Sequence, residues 1–106
     1  MTSRAELTLE AQLDIARIAH VREFVFAPPR KYRADFMVGL DLLVEIDGGG
    51  WINGRHSRGN GIEQDAEKSA LAAIRGYRVI RCTPAQVDDG RALRWIIEAL
   101  ERKAAA

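Results

Sequence analysis

Two acidic residues, Asp35 and Glu45, lie on neighbouring predicted strands of the segment YRADFMVGLDLLVEIDGGGW, with no basic residue between them. The strands are predicted at residues 32–38 and 42–47, joined by a three-residue turn. The antiparallel register that this turn sets places the two carboxylates directly opposite each other on one face of the sheet. Like charges in that position destabilise a strand pair.

Glu45 also interrupts an apolar run, because Leu42, Leu43 and Val44 precede it and Ile46 follows. An unpaired carboxylate in such a run costs several kcal/mol when it is buried. A divalent cation between Asp35 and Glu45 would remove both the repulsion and this cost. Hard oxygen ligands without a cysteine or histidine cluster favour Mg²⁺ or Mn²⁺ over Zn²⁺.

Composition predicts a single domain over residues 1–106, with 47% hydrophobic and 29% charged residues, as in ordinary soluble globular proteins. Nothing approaches the roughly 20 apolar residues of a membrane span, and no signal peptide precedes the charged start MTSRAE. A lone cysteine, Cys82, excludes an internal disulfide and a thiolate zinc cluster. We therefore expect a protein of the reducing cytoplasm, without a membrane or an organic cofactor.

Basic residues are clustered on both sides of the acidic pair, although the net charge is only +1. Arg30, Lys31 and Arg33 precede Asp35, whereas Arg55, His56 and Arg58 lie in the glycine-rich segment that follows Glu45. Two such clusters flanking an acidic centre could hold the phosphates of a nucleic acid. Solvated loop charge is the alternative explanation, and the sequence leaves both open.

The order of elements is predicted as α-β-β-β-α-β-α, a mixed sheet with helices packed on it. A capping box at Ser3 and Glu6 opens a helix that is expected to end near residues 19–20. The other expected elements are a strand at 21–27, the acidic hairpin, an irregular loop at 48–61, a helix closed by Gly76, a strand at 77–82, a turn at 83–84 and a last helix capped by Asp88 or Asp89. In the second long helix, Ile62, Ala66, Ala70 and Ala73 lie along one side.

This order, together with Asp35 and the sequence Glu45-x-Asp47, resembles the PD-(D/E)XK nuclease superfamily, whose core is αβββαβ. The string RKYRADF…VEIDGG…GRH…DAEK…GYRVIRCT is similar to the compact phage- and prophage-associated branch related to very-short-patch-repair endonucleases. The similarity extends from about Glu10 to Val87. It implies a restriction-endonuclease-like α/β fold with a C-terminal helix, metal-dependent DNA cleavage, and a bacterial or phage-infected host cell.

The motif departs from the superfamily at Asp47, where a lysine is expected two residues after Glu45. An aspartate cannot supply the positive charge of an ammonium group. Members of the branch resemble one another in having E-x-D or E-x-E, so the departure does not by itself remove activity. Asp47 could bind a second metal, orient a water, or form a cross-strand ion pair with Arg33. The resemblance also implies that the backbone carbonyl of Ile46 is a metal ligand.

Three further residues are candidate catalytic groups. Lys68 lies off the alanine side of its helix, and some superfamily members take their active-site lysine from this helix; the alternative is a surface pair with Asp65. His56 could act as a general base, or could be a solvated loop histidine. Glu10 corresponds in position to an acidic residue on the superfamily's first helix, with a solvated helix face as the alternative.

The function predicted from these residues is Mg²⁺- or Mn²⁺-dependent hydrolysis of DNA phosphodiester bonds by an endonuclease. Lys68, Arg33 and Arg55 would neutralise charge that develops on the phosphate. Weak sequence specificity or selectivity for DNA structure is expected, because the domain has no obvious recognition helix or insertion, and duplex cleavage would favour a homodimer. The alternative is a catalytically silent DNA-binding or assembly module that keeps the fold; an RNase is a weaker third candidate.

Overall fold

The computed structural model describes residues 3–48 and 59–105 of the chain. The predictions for Arg55, His56 and Arg58 lie outside these described residues. In chain order the elements are α1 (Arg4–Ile15), β1 (His20–Val25), β2 (Arg33–Val38), β3 (Leu42–Ile46), α2 (Gly59–Ile74), β4 (Arg78–Cys82), α3 (Pro84–Asp88) and α4 (Arg91–Ala105). None of the described helices is long and apolar enough to cross a membrane.

The four strands form one mixed sheet in the order β1-β2-β3-β4. The first three strands are antiparallel neighbours, and β4 runs parallel to β3. A parallel return requires a crossover connection, which α2 provides. The predicted mixed α/β architecture and the parallel return of the last strand are therefore both confirmed.

Apolar residues on the two faces of the sheet pack against different helices. The face covered by α1, α3 and α4 contains the larger cluster of buried residues: Leu9, Leu13, Phe36, Val38, Leu42, Val44, Cys82, Val87, Ala92 and Ile96. The face covered by α2 contains a smaller cluster: Phe26, Ala27, Ala34, Leu43 and Ala72. The sheet is thus enclosed on both faces, with the smaller cluster beneath the helix that carries Lys68.

Helix α1 begins at the predicted capping box, in which the hydroxyl of Ser3 accepts the Glu6 N–H and the Glu6 carboxylate accepts the Ser3 N–H. It ends at Ile15, earlier than residues 19–20, because Arg17 adopts a left-handed φ of 59°. The N–H of Ile18 then donates to the carbonyl of Leu13, and the N–H of Arg17 donates to Asp14. This bonding pattern closes a helix C-terminus, although glycine is the usual residue at the left-handed position.

Helix α2 begins at Gly59, so the end of the expected irregular loop at 48–61 is helical. It closes at the predicted Gly76, whose φ is 86°. The side that carries Ile62 and the alanines is not the one that packs on the sheet: Ile62 is 53% exposed, and the buried cluster beneath the helix includes none of Ala66, Ala70 and Ala73. Leu71 and Ala72 pack on the sheet instead.

Two predicted element boundaries differ from the structure. Strand β1 spans His20–Val25 and not residues 21–27, since Phe26 and Ala27 leave the strand and are buried in the α2 cluster. Thr83 and Pro84 begin the short helix α3, not a turn. Thr83 forms a capping box with Gln86, and proline at the first helical position suits this start. Asp89 then accepts the Arg91 N–H at the start of α4, as expected for one of the two capping candidates.

Candidate active site

The site is located where β2 and β3 separate. Their ladder pairs residues 36–38 with residues 42–44 in the predicted register and stops there. Beyond that point β2 continues to pair with β1, and β3 continues to pair with β4. The Asp35 carboxylate enters the gap, where its Oδ2 atom accepts the backbone N–H of Ile46 at 2.7 Å. The predicted register is correct, but Asp35 and Glu45 are the first residues past the ladder and are not a bonded strand pair.

The pKa of the Asp35 carboxyl is strongly perturbed. Desolvation by burial is the main cause that raises its pKa, to about 6, and the hydrogen bond from Ile46 opposes it. The negative charges of Glu45 and Glu6 raise the pKa further, whereas Lys68 lowers it. The sequence predicted partial burial for Glu45 and like-charge repulsion between Glu45 and Asp35, whereas the raised pKa is that of Asp35. Such perturbed groups are concentrated at functional sites.

Lys68 lies beside the acidic pair, with its Nζ atom 2.6 Å from Oε2 of Glu45. Ala72 of α2 and Leu43 of β3 belong to the same buried cluster, which sets this arrangement. Lys68 is one helical turn before Ala72, a rise of roughly 6 Å. Glu45 is two strand residues beyond Leu43 on the same face, an advance of roughly 6.6 Å. The two side chains therefore meet as a consequence of the helix–sheet packing.

Asp47 is paired with Arg81 of β4, a residue that the sequence reasoning missed. Nε of Arg81 donates to Oδ2 of Asp47 at 2.9 Å, and Nη2 donates to Oδ1 at 3.1 Å. The predicted alternative pair of Asp47 with Arg33 is wrong, because Arg33 contacts Glu23 on β1 at 3.3 Å. Since β2 and β3 have separated at this level, a residue of β4 is the one that reaches Asp47. The alternation of RVIRC indicated a strand but not this partner.

Glu6 is the acidic residue of α1 nearest to the site, and it too was missed. It is only 8% exposed and lines the same groove as Asp35. The capping box had assigned it to the helix terminus alone. The predicted candidate, Glu10, is engaged elsewhere: its Oε1 atom accepts from Arg22 at 3.2 Å, and its Oε2 atom is 4.0 Å from His20. Arg22 also binds Glu6 at 3.3 Å and so connects the two carboxylates.

An open groove of about 500 Å³ leads to Asp35 from the side of α1 and α3. Its lining residues are Ser3, Arg4, Ala5, Glu6, Asp35, Ile46, Gly48, Pro84 and Asp88. Ile46, the residue whose carbonyl the resemblance implies as a ligand, thus borders the same groove as Asp35. Lys68 and Arg81 lie on the α2 face of the sheet, whereas the groove lies on the side of α1 and α3. The acidic pair therefore has basic side chains on one face of the sheet and the groove on the other.

The basic cluster before Asp35 is largely engaged in surface contacts. Arg30 forms an ion pair with Glu67 of α2 and donates to the hydroxyl of Tyr32 at 3.0 Å. Its Cζ atom also lies over the Tyr32 ring, 5.1 Å from the ring centroid. Arg33 contacts Glu23, and Lys31 is exposed. Exposed ion pairs contribute little free energy, so a phosphate could compete with these carboxylates. The predicted nucleic-acid-binding role of all three residues remains a prediction.

No protein-family model matches the chain, and no curated protein matches it. Among solved structures, it is similar to the "Homing Endonuclease I-Bth0305I Catalytic Domain", with a TM-score of 0.65. The alignment covers 92% of each chain at 21% sequence identity. The chain has a nuclease-type fold. At this identity the similarity is evidence for the fold alone, and the roles of individual residues rest on the geometry described above.

The donor set fits a hard divalent cation better than zinc. Among the described residues there is no group of three or more histidine, cysteine, aspartate or glutamate side chains that could hold a metal. Mg²⁺ usually binds through one or two protein carboxylates and completes its shell with waters and substrate phosphates. Asp35 and Glu45 match that requirement, and the negative charges of Glu45 and Glu6 add to the burial that raises the pKa of Asp35.

Proposed function

We propose that the protein is a metal-dependent DNA endonuclease that hydrolyses phosphodiester bonds, within the PD-(D/E)XK superfamily and its very-short-patch-repair-like branch. The observation that carries this proposal is the grouping of Asp35, Glu45 and Lys68 at the point where two strands separate. These two carboxylates and one ammonium group, with Asp35 lining the groove and Lys68 approaching from the α2 face, form a site suited to a phosphate and its counter-ion. The likeness of the fold to an endonuclease catalytic domain supports the same conclusion.

Each residue has a definable part in such a reaction. Asp35 and Glu45, with the carbonyl of Ile46, would hold Mg²⁺ or Mn²⁺, which when bound supplies Lewis-acid polarisation of the phosphate and a more acidic water. The hydrogen bond from the Ile46 N–H fixes the orientation of the Asp35 carboxylate. Lys68, held on a helix against Glu45, provides positive charge for the phosphate oxygens. His56 remains a candidate general base.

Selectivity for DNA structure is more consistent with the fold than recognition of a defined sequence. The described elements are those of a minimal four-stranded sheet with four helices. None of these elements is an obvious insertion for reading base edges in the major groove. Junctions, flaps, mismatches and nicks are therefore the favoured substrates, and a homodimer would be needed to cut both strands of a duplex in one encounter.

A catalytically silent DNA-binding or assembly module is the second candidate. One specific observation favours it: Lys68 already neutralises Glu45, so the described site does not require a metal for charge balance. The raised pKa of Asp35 argues in the opposite direction, because burial and the charges of Glu45 and Glu6 raise this pKa by more than Lys68 and the hydrogen bond from Ile46 lower it.

The deciding experiment is incubation of the purified protein with supercoiled, linear, single-stranded and four-way-junction DNA. Each substrate is incubated with Mg²⁺, with Mn²⁺ and with EDTA. We expect cleavage of at least one substrate that EDTA abolishes. Binding without cleavage under every metal condition would support the silent module, and cleavage of structured RNA but not DNA would redirect the proposal to an RNase.

A further inference from the structure

Arg81 lies directly beside the acidic pair, on the strand that completes the sheet. In the parallel ladder between β3 and β4, Arg81 is the register partner of Glu45. Register partners share a face of the sheet, so the side chain is on the α2 face, the same face as Lys68. Arg81 therefore supplements the positive charge on this side of the site.

The contact with Asp47 orients the guanidinium group of Arg81 but occupies only some of its N–H donors. Asp47 takes the Nε–H and one Nη2–H in a two-point contact. A guanidinium has five N–H donors, so three remain. The side chain is 49% exposed, and the negative charges of Glu45 and Asp65 also act on it. The remaining donors can therefore reach a ligand from solvent without breaking the contact with Asp47.

We propose that Arg81 binds a phosphate of the DNA strand next to the scissile bond, and that Asp47 positions it for this contact. The inference rests on the proposed function and extends it to a residue and a role that the sequence motif does not contain. An arginine fork suits a phosphate because two parallel N–H groups match two of its oxygens. In this assignment Asp47 acts through Arg81 and is not a metal ligand.

The assignment also accounts for an aspartate two residues after Glu45. A lysine at that position would bring one positive charge from β3 itself. Asp47 instead recruits a guanidinium from the neighbouring strand, while Lys68 is brought from α2. Two cations thus reach the site from different elements, and each is held by an acidic residue in or directly after β3.

A matched control exists elsewhere in the chain. Arg91 makes a similar contact with Asp89, in which Nε donates to Oδ2 at 2.8 Å, and its side chain is 46% exposed. This second pair lies between α3 and α4 and contributes no lining residue to the groove at Asp35. Removal of either arginine deletes one partly exposed charge and one ion pair, and the main difference between the two is their position relative to the acidic site.

The test measures binding of a fluorescently labelled DNA duplex in EDTA, where cleavage does not interfere, over a series of salt concentrations. The proteins compared are the wild type, Arg81→Ala, Arg81→Lys, Asp47→Asn and Arg91→Ala. Each phosphate contact contributes about 0.9 to the slope of log K against log salt concentration. We expect Arg81→Ala to reduce the magnitude of that slope by about 0.9, the value for one contact, and to weaken binding roughly tenfold.

Arg81→Lys and Asp47→Asn distinguish the effect of the positive charge on DNA binding from the effect of how the guanidinium is oriented. Arg81→Lys should keep the salt slope, because the charge remains, but should bind more weakly than wild type. Asp47→Asn should also keep the slope, with weaker binding, since Arg81 is no longer directed. A residue with only a structural role would lower the melting temperature without changing the salt slope, so thermal unfolding of each variant is measured in parallel.

The outcomes distinguish this inference from the proposed function. If wild type binds and cuts DNA but Arg81→Ala has the same slope and affinity as Arg91→Ala, the phosphate-binding role is wrong and the nuclease proposal stands. If the Arg81→Ala variant shows the predicted change in slope but wild type never cuts, the phosphate contact of Arg81 stands and the catalytic proposal fails. If wild type neither binds nor cuts DNA, both are wrong.

Discussion

Lys68 Nζ lies 2.6 Å from Glu45 Oε2, although a glycine-rich segment and half of a helix separate the two residues in sequence. The contact brings a cation to the acidic pair without a lysine in the strand motif itself. If this ammonium group has the role of the missing motif lysine, Lys68→Ala should lower DNA cleavage by about 10²–10³-fold, the usual cost of losing one preorganised charge-stabilising donor.

Lys103→Ala is the matched control for that variant, since it also removes one lysine charge. Lys68→Arg should retain part of the activity, because a guanidinium keeps the charge but not the size of the ammonium group. Single-turnover cleavage rates at saturating metal provide the measurement. Near-wild-type rates in Lys68→Ala would return Lys68 to the role of a helix residue that only neutralises Glu45.

Asp35→Asn and Glu45→Gln should each abolish cleavage while the fold is retained. Both changes remove a carboxylate charge but keep the size of the side chain, and the amide introduced in Asp35→Asn still offers an oxygen to the Ile46 N–H. Circular dichroism and a plasmid-nicking assay test fold and activity separately, with Asp89→Asn as the control for loss of one surface carboxylate. Wild-type cleavage in either variant would contradict the metal-site assignment.

The pKa of Asp35 predicts how stability depends on pH in the absence of metal. The pKa is about 6 in the folded protein and 3.8 for the unperturbed group, so the folded state binds more protons between these values. The contribution of the Asp35 carboxyl to the free energy of unfolding is therefore fully present below about pH 4 and is lost as the pH rises through about 6. Solvent screening of this half-buried group limits the loss to about 2 kcal/mol.

Thermal unfolding in EDTA from pH 4 to 7 measures this effect, as a difference between wild type and Asp35→Asn that removes the background from other groups. We expect Asp35→Asn to gain stability relative to wild type as the pH increases. A constant difference across the range would mean that the Asp35 carboxylate is not perturbed by burial and by its acidic neighbours.

Divalent ions should stabilise the wild-type protein, because a ligand that binds only the folded state adds RT ln(1 + [L]/Kd) to the free energy of unfolding. At about 100 Kd this is about 2.7 kcal/mol. The melting temperature should increase with millimolar Mn²⁺ in wild type and in Asp89→Asn, but not in Asp35→Asn. An equal increase in all three proteins would indicate metal binding away from Asp35.

The hairpin was predictable because a three-residue turn fixes both its register and the face on which each side chain lies. The helix caps at Ser3 and Gly76 were predictable for the same reason, since each depends on residues close together in sequence. Lys68 was predicted at the site only through the superfamily resemblance, and Arg81 was missed, because these residues reach Glu45 and Asp47 through helix packing and strand order. Helix α3 was missed despite a local signal: Thr83 and Gln86 have the spacing of a capping box, but Pro84 suggested a turn.

Glu6 and Glu10 provide the last prediction, since sequence reasoning and structure select different acidic residues of α1. Glu6 lines the groove with Asp35, and its charge contributes to the raised pKa of that carboxyl. Glu10 binds Arg22 and lies near His20. Glu6→Gln should therefore lower the cleavage rate and reduce the apparent affinity for Mn²⁺, whereas Glu10→Gln should leave both close to wild type.

Both variants lose a contact with Arg22, so each is a control for the structural part of the other's effect. Cleavage rates across a Mn²⁺ titration, normalised to the folded fraction, separate metal affinity from maximal rate. A larger defect in Glu10→Gln would mean that Glu10, and not Glu6, is the acidic residue of α1 that acts at the site, as the superfamily resemblance suggested. Equal small defects would mean that α1 contributes no carboxylate to the reaction and that Asp35 and Glu45 act without a third acid.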